Sequence, residues 1–376
     1  MQIPSLVIIG NHTQGLGIIR SAANTGLPIF VVNDLAFSSS RFSKYISSYI
    51  RVKNGTIRSL ADSVKNDEFT ATLLNLPVKY PSILMGINED IVRYLHMNRD
   101  TLSQKYFIPD NPYDIIFDKF EFNNLLEVEN RIPTFLLRDI DVESYKKGDH
   151  ILKSRIGNKL RNLSDEKALI MSKISKSKME KFLTNLNADE LIVQKIVKSK
   201  YPIKSSCSFS INGKMIGLFQ YEKIRQHPNQ FGTGTYLRSI YDEKILELSR
   251  NILSKLNYSG ISEIEFVIDE EDQSYKVIEM NPRTWKSINF STQCGQNLVE
   301  KYIKYVLGKE VDSSVKYNTN YYWVDIFTDI PQMFREKRVF HYSVKRLFEC
   351  MWSIKDPLPF ITTALFSPYL LFKGNT

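Results

Sequence analysis

The sequence lacks the residues that would support a disulfide scaffold or a zinc site. Its three cysteines, Cys207, Cys294 and Cys350, stand far apart and form no Cys-x-x-Cys pair. The five histidines are equally scattered, with no His-Glu-x-x-His motif. This usage favours a reducing compartment and argues against structural zinc. We therefore expect a cytoplasmic protein.

Long apolar runs are also missing. No stretch approaches the roughly 18 uninterrupted apolar residues of a membrane span. The apolar run at residues 4–9 ends at Gly10, without the basic region or the cleavage site of a secretory signal. With 376 residues, 43% hydrophobic and 24% charged, the chain is instead long enough for two or three globular domains.

The excess of positive charge is moderate: 50 Lys and Arg residues against 41 acidic residues give a formal charge of +9. Such an excess fits nucleic acid, an anionic surface, or a solvated lysine-rich surface with a few cations for a phosphorylated ligand. No basic run is interleaved with aromatic residues, as a stacking platform for nucleic acid would need. We therefore expect the solvated surface and no nucleic-acid partner.

The commonest nucleotide-binding motifs are absent too. Gly15 and Gly17 lie in a glycine-bearing turn, but Arg20 stands where a dinucleotide fingerprint has its third glycine. There is no Gly-x-x-x-x-Gly-Lys-Ser/Thr loop, and residues 98–100 (Asn-Arg-Asp) lack the context of a kinase catalytic loop. Strand-like runs at residues 5–9 and 28–33 nevertheless flank a helical stretch, which predicts a parallel α/β sheet.

Further along the chain the pattern changes. Residues 110–150 are polar and punctuated by prolines, which predicts a domain boundary. Asn212 and Gly213 predict a hairpin turn. The remaining periodic segments predict strands over 82–85, 150–153, 191–197, 209–211, 215–221 and 260–268, and helices over 164–187 and 241–256.

One strand end carries chemistry. In KVIEMNPRTWKS (276–287), Glu279, Asn281 and Arg283 recur at every second position, so they share one face of a strand that Pro282 terminates. Two predicted strands, joined by four acidic residues, form a hairpin here, and Glu265 on the partner strand is expected to face the same space.

These residue types suit phosphate chemistry. Carboxylate and amide oxygens are ligands for Mg²⁺ bound together with substrate phosphates. An arginine beside them suits the charge that grows on a transferred phosphoryl group or a tetrahedral intermediate. A surface hairpin with solvated Glu–Arg pairs is the alternative. Lys119, Lys153 and Lys223 each follow a strand-like run, at 115–117, 150–152 and 219–221, which predicts cations at strand ends; surface lysines are the alternative here.

In order along residues 1–310, the chain resembles the ATP-grasp superfamily. Its final acidic strand is similar to the metal-binding strand of biotin carboxylase, carbamoyl-phosphate synthetase and D-alanine–D-alanine ligase. The segments KIRQHPNQFGTGT (223–235), GISEIEFVID (260–269), IEMNPRTWKS (278–287) and the late DPLP (356–359) resemble bacterial ATP-grasp carboxylate–amine ligases that are often linked to surface polysaccharide synthesis.

The resemblance implies an α/β fold, α+β in its C-terminal half, in which two α+β subdomains grip ATP. The domains it implies are a Rossmann-like pre-ATP-grasp domain (1–110), a small lid subdomain (111–198), a subdomain with the metal site (199–312) and a C-terminal extension (313–376). Closure of the lid would keep water from an acyl-phosphate.

The resemblance also implies roles for single residues. Two Mg²⁺ ions, which Mn²⁺ would be able to replace, would be held by Glu265, Glu279 and Asn281. Arg283 would stabilise the acyl-phosphate and the tetrahedral intermediate. The residues that would contact ATP are Lys119 and Lys153 at the phosphates, and Gln194, Lys195 and Val197 in the hinge beside adenine.

Lys223 and Arg225 would face the γ-phosphate or the substrate carboxylate, and residues 11–17 would line the acceptor site. Two positions depart from the family pattern. The loop at 154–158 has a single glycine where many relatives are glycine-rich, and Lys195 replaces a common acidic residue.

The activity implied is an ATP- and Mg²⁺-dependent ligation that forms an amide from a small or sugar-linked carboxylate and an amine, with an amino acid expected as one partner. Two alternatives stay open: an amino-acid or peptide ligase of wall or secondary metabolism, and a catalytically silent nucleotide-binding subunit. A homodimer also stays open. The aromatic, basic C-terminal region, including 334–338 and 351–372, would either rest near a membrane or pack on the protein, and we expect packing.

Overall fold

The computed structural model describes residues 3–373 except 11, 61–65, 158, 165, 230, 338–341 and 344, and describes no side chain at 161, 162 or 367–373. Two compact units share the chain. The first unit comprises Met1–Asn111, Ser206–Glu263 and Asn281–Thr376, and the second comprises Pro112–Ser205 and Ile264–Met280. The four domains expected from the sequence stay predictions.

The N-terminal part of the first unit forms a parallel sheet of order β3-β2-β1-β4-β5 in the described residues. Its strands are β1 (Leu6–Ile9), β2 (Ile29–Asn33), β3 (Ser48–Arg51), β4 (Ser82–Gly86) and β5 (Tyr106–Phe107). The accompanying helices are α1 (Thr13–Ala22), α2 (Thr56–Ser59), α3 (Asp67–Leu74), α4 (Glu89–Met97) and α5 (Arg99–Leu102). Leu6 and Ile8 enter one core cluster while Val7 and Ile9 enter another, so both faces of the sheet are covered, as parallel sheets require. The predicted parallel α/β opening is confirmed.

The second unit contains a sheet of order β6-β9-β7-β8, whose strand pairs are antiparallel. Its strands are β6 (Thr134–Leu136), β7 (His150–Ser154), β8 (Ala168–Ile170) and β9 (Leu191–Lys195). Its helices are α6 (Tyr113–Phe117), α7 (Lys119–Leu125), α8 (Val142–Lys146), α9 (Lys159–Ser164) and α10 (Lys176–Asn185). Leu152, Phe182 and Val193 lie in the core between this sheet and α10.

Two expectations about the second unit are wrong. Residues 115–117 form the end of α6 and not a strand, because a short apolar run carries no period that separates the two structures. Asp118 then caps the next helix by accepting hydrogen bonds from Phe120 N and Glu121 N, so Lys119 begins α7. The segment 164–187 is not helical throughout, because β8 interrupts it before α10.

The third sheet has the order β14-β13-β10-β11-β12-β15-β16 among the described strands. The strands are β10 (Lys204–Ile211), β11 (Lys214–His227), β12 (Thr233–Ile240), β13 (Gly260–Ile268), β14 (Tyr275–Asn281), β15 (Tyr322–Val324) and β16 (Leu347–Glu349). The helices that follow or interrupt them are α11 (Glu243–Lys255), α12 (Ile288–Gln293), α13 (Leu298–Val306), α14 (Ile326–Arg335) and α15 (Leu358–Lys373). Short 3-10 helices lie at Ser39–Phe42, Val128–Asn130, Leu137–Asp139, Met171–Lys173 and Ala188–Glu190.

Both hairpins predicted from the sequence are present in this sheet. Asn212 and Gly213 adopt φ values of 46° and 76° between β10 and β11, the left-handed geometry that a tight hairpin turn requires. Strands β13 and β14 are hydrogen-bonded neighbours, as expected. The placement of Lys223 at a strand end is wrong, because β11 continues to His227 through its pairing with β12.

Gly17 is one of the two glycines that do not complete a dinucleotide fingerprint, and the structure gives it a role in packing. A Cβ atom at Gly17 would lie 2.8 Å from Ile288 Cγ2, so the missing side chain allows α1 to approach α12 closely. Gly15, on the same helix, would meet nothing closer than the Gly10 carbonyl oxygen at 3.7 Å. Gly17 therefore serves helix packing within the first unit. Of the helices in the described part of the chain, none combines the length and the apolar character needed to cross a bilayer.

Candidate active site

Lys153, in β7 of the second unit, interacts with several of the site residues predicted from the sequence. Its Nζ donates a hydrogen bond to Gln194 Oε1 at 2.9 Å, and Gln194 Nε2 donates in turn to Thr134 Oγ1 at 2.9 Å. Three neighbouring strands, β7, β9 and β6, thus hold the ammonium group against a neutral amide. Gln194 is buried, which fixes the acceptor in place.

The electrostatic surroundings of Lys153 join it to both predicted acids. The pKa of Lys153 is lowered to about 8, chiefly by burial and also by the Lys119 charge, although the carboxylates of Glu279 and Glu265 act in the opposite direction. The structure therefore brings Lys119, Glu265 and Glu279 within electrostatic range of Lys153 inside the second unit. Both acids are half-buried.

Lys119 is tied to the loop that follows β7. Its Nζ donates to the carbonyl oxygen of Gly157 at 3.4 Å. Its backbone N–H donates to the carbonyl oxygen of Arg155 at 3.0 Å. Arg155 pairs with Asp118 at 2.7 Å, so helix α7 and the loop are linked twice. This loop is the one whose single glycine departs from the family pattern; its last residue, Asn158, lies outside the described residues.

The predicted hinge lies at the end of β9. The backbone N–H of Lys195 donates to Pro133 O at 2.9 Å, and its Nζ pairs with Glu271 Oε2 at 2.8 Å. Val197 follows the strand and is half-buried. Because the Lys195 N–H already has a partner, an adenine contact by that group would compete with the Pro133 bond. The hinge roles of Gln194, Lys195 and Val197 stay predictions.

A polar chain runs through the first unit to the other two predicted residues. Tyr221 OH donates to Glu263 Oε1, and Asn281 Nδ2 donates to Glu263 Oε2 at 3.5 Å. Asn281 Oδ1 accepts a hydrogen bond from Arg283 Nη2 at 2.9 Å. Buried Glu263 thereby orients the amide oxygen expected to bind metal. Sequence reasoning missed Glu263, although it stands two residues before Glu265 on the same face of β13.

The guanidinium group of Arg283 is only partly satisfied. Its Nη1 donates to Thr284 O at 2.8 Å, but its Nε is buried with no hydrogen-bond partner among the described residues. A buried unpaired donor is costly, so an anionic oxygen at this point would be favourable. Thr284 is held in turn by Gln14 Nε2, which donates to its carbonyl oxygen at 2.7 Å and its Oγ1 at 2.8 Å. Gln14 belongs to the segment expected to line the acceptor site; Asn11, at its start, lies outside the described residues.

A second set of groups near the start of α1 was not foreseen. Lys286 Nζ pairs with Asp325 Oδ2 at 2.5 Å, and Asp325 also caps α14 through Thr328. His12 precedes α1 with a φ of 108°, a conformation that side chains rarely adopt. The His12 side chain is exposed, and the charges of Lys286 and Asp325 act on its pKa in opposite directions. Sequence offered one signal only: His12 lies inside the predicted acceptor turn.

Lys223 and Arg225 flank a β-bulge between β11 and β12. Lys223 is buried next to Gly234, whose Cβ would lie 3.4 Å from Lys223 Cγ. Arg225 donates to Asp329 through Nε at 3.0 and 3.1 Å and through Nη2 at 2.6 Å. Its guanidinium carbon also lies 4.3 Å from the Tyr236 ring centroid. Arg225 thus has a strong internal partner, and ligand contacts by Lys223 and Arg225 stay predictions.

Asp329 receives more than the Arg225 pair. Burial would raise its pKa, but hydrogen bonds from Arg225, Thr235 and Tyr342 lower it below the ordinary value of an aspartate. The Thr235 Oγ1 and Tyr342 OH bonds are both 2.6 Å long. This carboxylate is therefore charged and satisfied inside the first unit, which is typical of a structural ion pair.

Comparison with known proteins identifies the architecture. Residues 234–314 match the family model described as "Carbamoyl-phosphate synthase L chain, ATP binding domain". The N5-carboxyaminoimidazole synthetase of Staphylococcus aureus, solved with ADP, is 17% identical over 90% of this chain and 86% of its own, with a TM-score of 0.64. The chain has the ATP-grasp fold. The predicted α/β ATP-grasp architecture is thereby confirmed.

Two further ATP-grasp structures are similar. One is the biotin carboxylase domain of Hydrogenobacter thermophilus 2-oxoglutarate carboxylase, solved with MgADP, ADP and bicarbonate. It is 14% identical, the alignment covers 86% of this chain and 74% of that chain, and the TM-score is 0.64. The other is the L-amino acid ligase of Bacillus licheniformis: 13% identity, 84% of this chain, 78% of that chain, TM-score 0.60. No curated protein sequence matches the chain. At these identities the similarity establishes the ATP-grasp fold.

Proposed function

We propose that this protein is an ATP- and Mg²⁺-dependent ligase that joins a carboxylate to an amine and releases ADP. The observation that carries the proposal is the placement of Lys153, whose Nζ donates to the neutral Gln194 Oε1 at 2.9 Å and interacts electrostatically with Glu265 and Glu279. A lysine between two carboxylates and a second lysine, inside an ATP-grasp fold, suits a metal–triphosphate ligand. The similar synthetase and biotin carboxylase domain were solved with ADP and MgADP.

The residues present fit the metal. Glu265, Glu279 and Asn281 offer only carboxylate and amide oxygens, the donors that Mg²⁺ prefers. These three residues would hold the ions, which supply charge neutralisation for the phosphates of ATP. Asn281 Oδ1 now accepts a hydrogen bond from Arg283 Nη2, so metal binding by this oxygen would release that donor. Arg283 would then have both Nη2 and the unpaired Nε available for an anion.

The chemistry requires activation because a carboxylate has no leaving group that an amine can displace. ATP transfers a phosphoryl group to the carboxylate, which gives an acyl-phosphate and ADP; the amine then forms the C–N bond as the C–O bond to phosphate breaks, and inorganic phosphate and a proton leave. Lys119 and Lys153 bind phosphate oxygens, and Arg283 stabilises negative charge that develops as the amine attacks. Lys223 orients the carboxylate or the transferred phosphate. Because Arg225 is paired with Asp329, its part in this step is to position β11 or to rearrange on binding.

The acceptor binds at the start of α1, where Gln14 fixes the turn that carries Arg283. The proposed carboxylate is small or sugar-linked, with an amino acid on one side of the bond. The likeness to an L-amino acid ligase supports the amino acid, and the surface-polysaccharide context rests on the sequence resemblance.

The test is a screen for ADP release with the purified protein and Mg²⁺, pairing uronic acids and amino acids as carboxylates with a panel of amines. Product masses identify the bond. An amide product with stoichiometric ADP supports the ligase, and a product that keeps phosphate supports phosphoryl transfer alone. Nucleotide binding without turnover on any pair would favour the silent subunit. Binding of neither ATP nor ADP would overturn the proposal.

A further inference from the structure

Two segments of the first unit expose large apolar side chains beside each other. One segment surrounds the 3-10 helix Ser39–Phe42, and the other leads into and forms α15. We call their exposed side chains the apolar patch: Leu35, Phe37, Trp352, Ile354, Leu358, Ile361, Leu365 and Phe366. The most exposed of them are Ile354 at 84% and Leu365 at 70%. A contiguous exposed apolar surface of this kind marks an interaction site more often than a neutral feature of the surface.

Ring contacts show that the two segments adjoin. The ring centroids of Phe37 and Phe366 lie 4.4 Å apart, and α15 packs against the 3-10 helix. Trp352 contacts Phe360 edge-on at 5.3 Å, and Phe360 in turn contacts Phe327 of α14 at 5.5 Å. The patch is therefore one surface, with its inner side packed on the body of the first unit.

A buried polar network holds this surface in place. Arg20 pairs with Asp356 at 3.2 Å, with side-chain exposures of 7% and 1%. Asp356 also accepts hydrogen bonds from Ser43 Oγ at 2.9 Å and Lys44 N at 3.0 Å, and so joins the two segments immediately before α15 begins. Arg20 Nη2 completes the network at the carbonyl oxygens of Met351 and Asp356, both at 2.8 Å.

The exposed charged residues within these two segments are cations; the neighbouring Glu349 is half-buried and accepts hydrogen bonds from the backbone of Met351 and Trp352. Arg41, Lys44 and Lys355 are exposed. The segment 35–44 contains no acidic residue, and the acidic residue of 351–373 is Asp356, which is buried and paired. Exposed apolar side chains with cations only at their edge complement a surface that is both apolar and negatively charged.

We propose that the apolar patch docks onto an anionic membrane surface, with α15 lying in the headgroup region. A helix that presents apolar side chains, flanked by cations, binds there through buried apolar area and attraction to acidic lipids. A second copy of the chain suits the patch less well, because a symmetric pairing would bring Arg41, Lys44 and Lys355 against the same cations. This proposal is independent of the ligase assignment.

The first experiment is flotation of the full chain with vesicles of phosphatidylcholine alone or mixed in equal parts with phosphatidylglycerol. We expect the protein to float with the mixed vesicles at low salt, to bind neutral vesicles far less, and to detach as salt rises. Equal binding to both vesicles, or binding to neither, would overturn the proposal.

Trp352 supplies a second readout in the unmodified protein. It is 49% exposed, whereas Trp285 and Trp323 are 2% and 1% exposed, so a change in tryptophan emission on vesicle addition reports the patch. We expect a blue shift and loss of iodide quenching with anionic vesicles. Trp352→Phe should abolish the shift and leave flotation intact; flotation with unchanged emission would place the membrane contact elsewhere and overturn the proposal.

Variants locate the contact. We expect Ile354→Ser with Leu365→Ser to weaken vesicle partitioning at least about tenfold, while Val128→Ser, an exposed apolar residue of the second unit, leaves it unchanged. Lys44→Glu with Lys355→Glu should weaken it about tenfold or more, since each basic residue adds about 1 kcal/mol near an anionic surface. Lys181→Glu, an exposed lysine of α10, is the matched charge control. A concentration-dependent dimer that the serine variant abolishes, without vesicle binding, would instead assign the patch to self-association.

Discussion

Two cations of the first unit and one cation of the second unit have different kinds of partner. In the first unit, Arg225 and Lys286 are each paired with a buried aspartate, at 2.6 Å to Asp329 and 2.5 Å to Asp325. In the second unit, Lys153 donates to a neutral amide, and its pKa falls to about 8. A lysine held by an amide keeps its charge at a cost, and a phosphate would remove that cost.

This difference separates cations that hold the fold from cations that suit a ligand. Where an aspartate neutralises the cation inside the protein, little is gained by a further anion. At Lys153 the desolvation cost of burial is larger than the stabilisation that nearby protein groups give to the charge. An anionic ligand there would therefore add a stabilising interaction that the protein does not already supply. The comparison therefore ranks Lys153 above Arg225 as a ligand contact, although the sequence pattern treats them alike.

The largest effect is expected on stability at the Arg225 pair. Arg225→Met leaves the buried Asp329 without its cation, so the free energy of unfolding should fall by about 3 kcal/mol or more. Urea unfolding measures this. The matched control is Arg138→Met, whose partner Asp189 also lies 2.6 Å away but whose two side chains are exposed, at 54% and 40%, and which should cost less than about 1 kcal/mol. An unchanged unfolding curve with a large loss of turnover would instead support the ligand contact predicted from the sequence.

Next comes Glu279→Gln in the second unit. Loss of this carboxylate should lower Mg²⁺-dependent ADP formation at least about a hundredfold, the scale of removing one key electrostatic group. The control is Glu270→Gln, an exposed acid of the same hairpin, which should keep full turnover. Undiminished ADP formation by the Glu279 variant would refute the metal assignment.

A smaller effect is expected at the contact of α1 with α12. Gly17→Ala places a methyl group 2.8 Å from Ile288 Cγ2 and should lower the free energy of unfolding by about 1–3 kcal/mol. Gly15→Ala in the same helix meets only ordinary contacts, so it should be neutral or stabilise the protein by up to about 1 kcal/mol. Thermal melts compare the two variants, and equal melting temperatures would argue against close packing at Gly17.

The smallest effect concerns pH. Below a pKa of about 8 Lys153 is charged and binds phosphate; above it the unliganded lysine is neutral. Affinity for ATP should therefore fall about tenfold from about pH 7 to about pH 9, because binding must then take up a proton. Calorimetry or a fluorescent nucleotide measures this. Lys153→Arg, which stays charged, should remove most of the decline; an identical decline in that variant would point to another group.

Local patterns in the sequence were sufficient for the hairpin of β13 and β14. Period-two alternation, four acidic turn residues and Pro282 together specified where two strands run and which side chains share a face. The bulge beside Lys223 had no such signal, because it depends on how β11 pairs with β12. A run such as 115–117 stayed ambiguous because three apolar residues contain no period.

Contacts between segments that are distant in the sequence account for the parts of the candidate site that the sequence did not predict. Gln14 meets Thr284, and Lys286 meets Asp325, only after the parallel sheet and the following helices have assembled. Glu263 is different, since it stands two residues before Glu265 on the same face of β13, where the alternation of the strand could have marked it. Its partners, Tyr221 and Asn281, show that a buried acid can orient an amide instead of binding a ligand itself.

The lowered pKa of Lys153 has a chemical consequence apart from binding. With a pKa of about 8, Lys153 is an uncharged amine at neutral pH far more often than an ordinary lysine is. Such an amine is a nucleophile, so an acylating reagent at low dose should label Lys153 ahead of the many surface lysines. Peptide mapping of that label, with and without nucleotide, would report whether a nucleotide occupies the site beside Lys153.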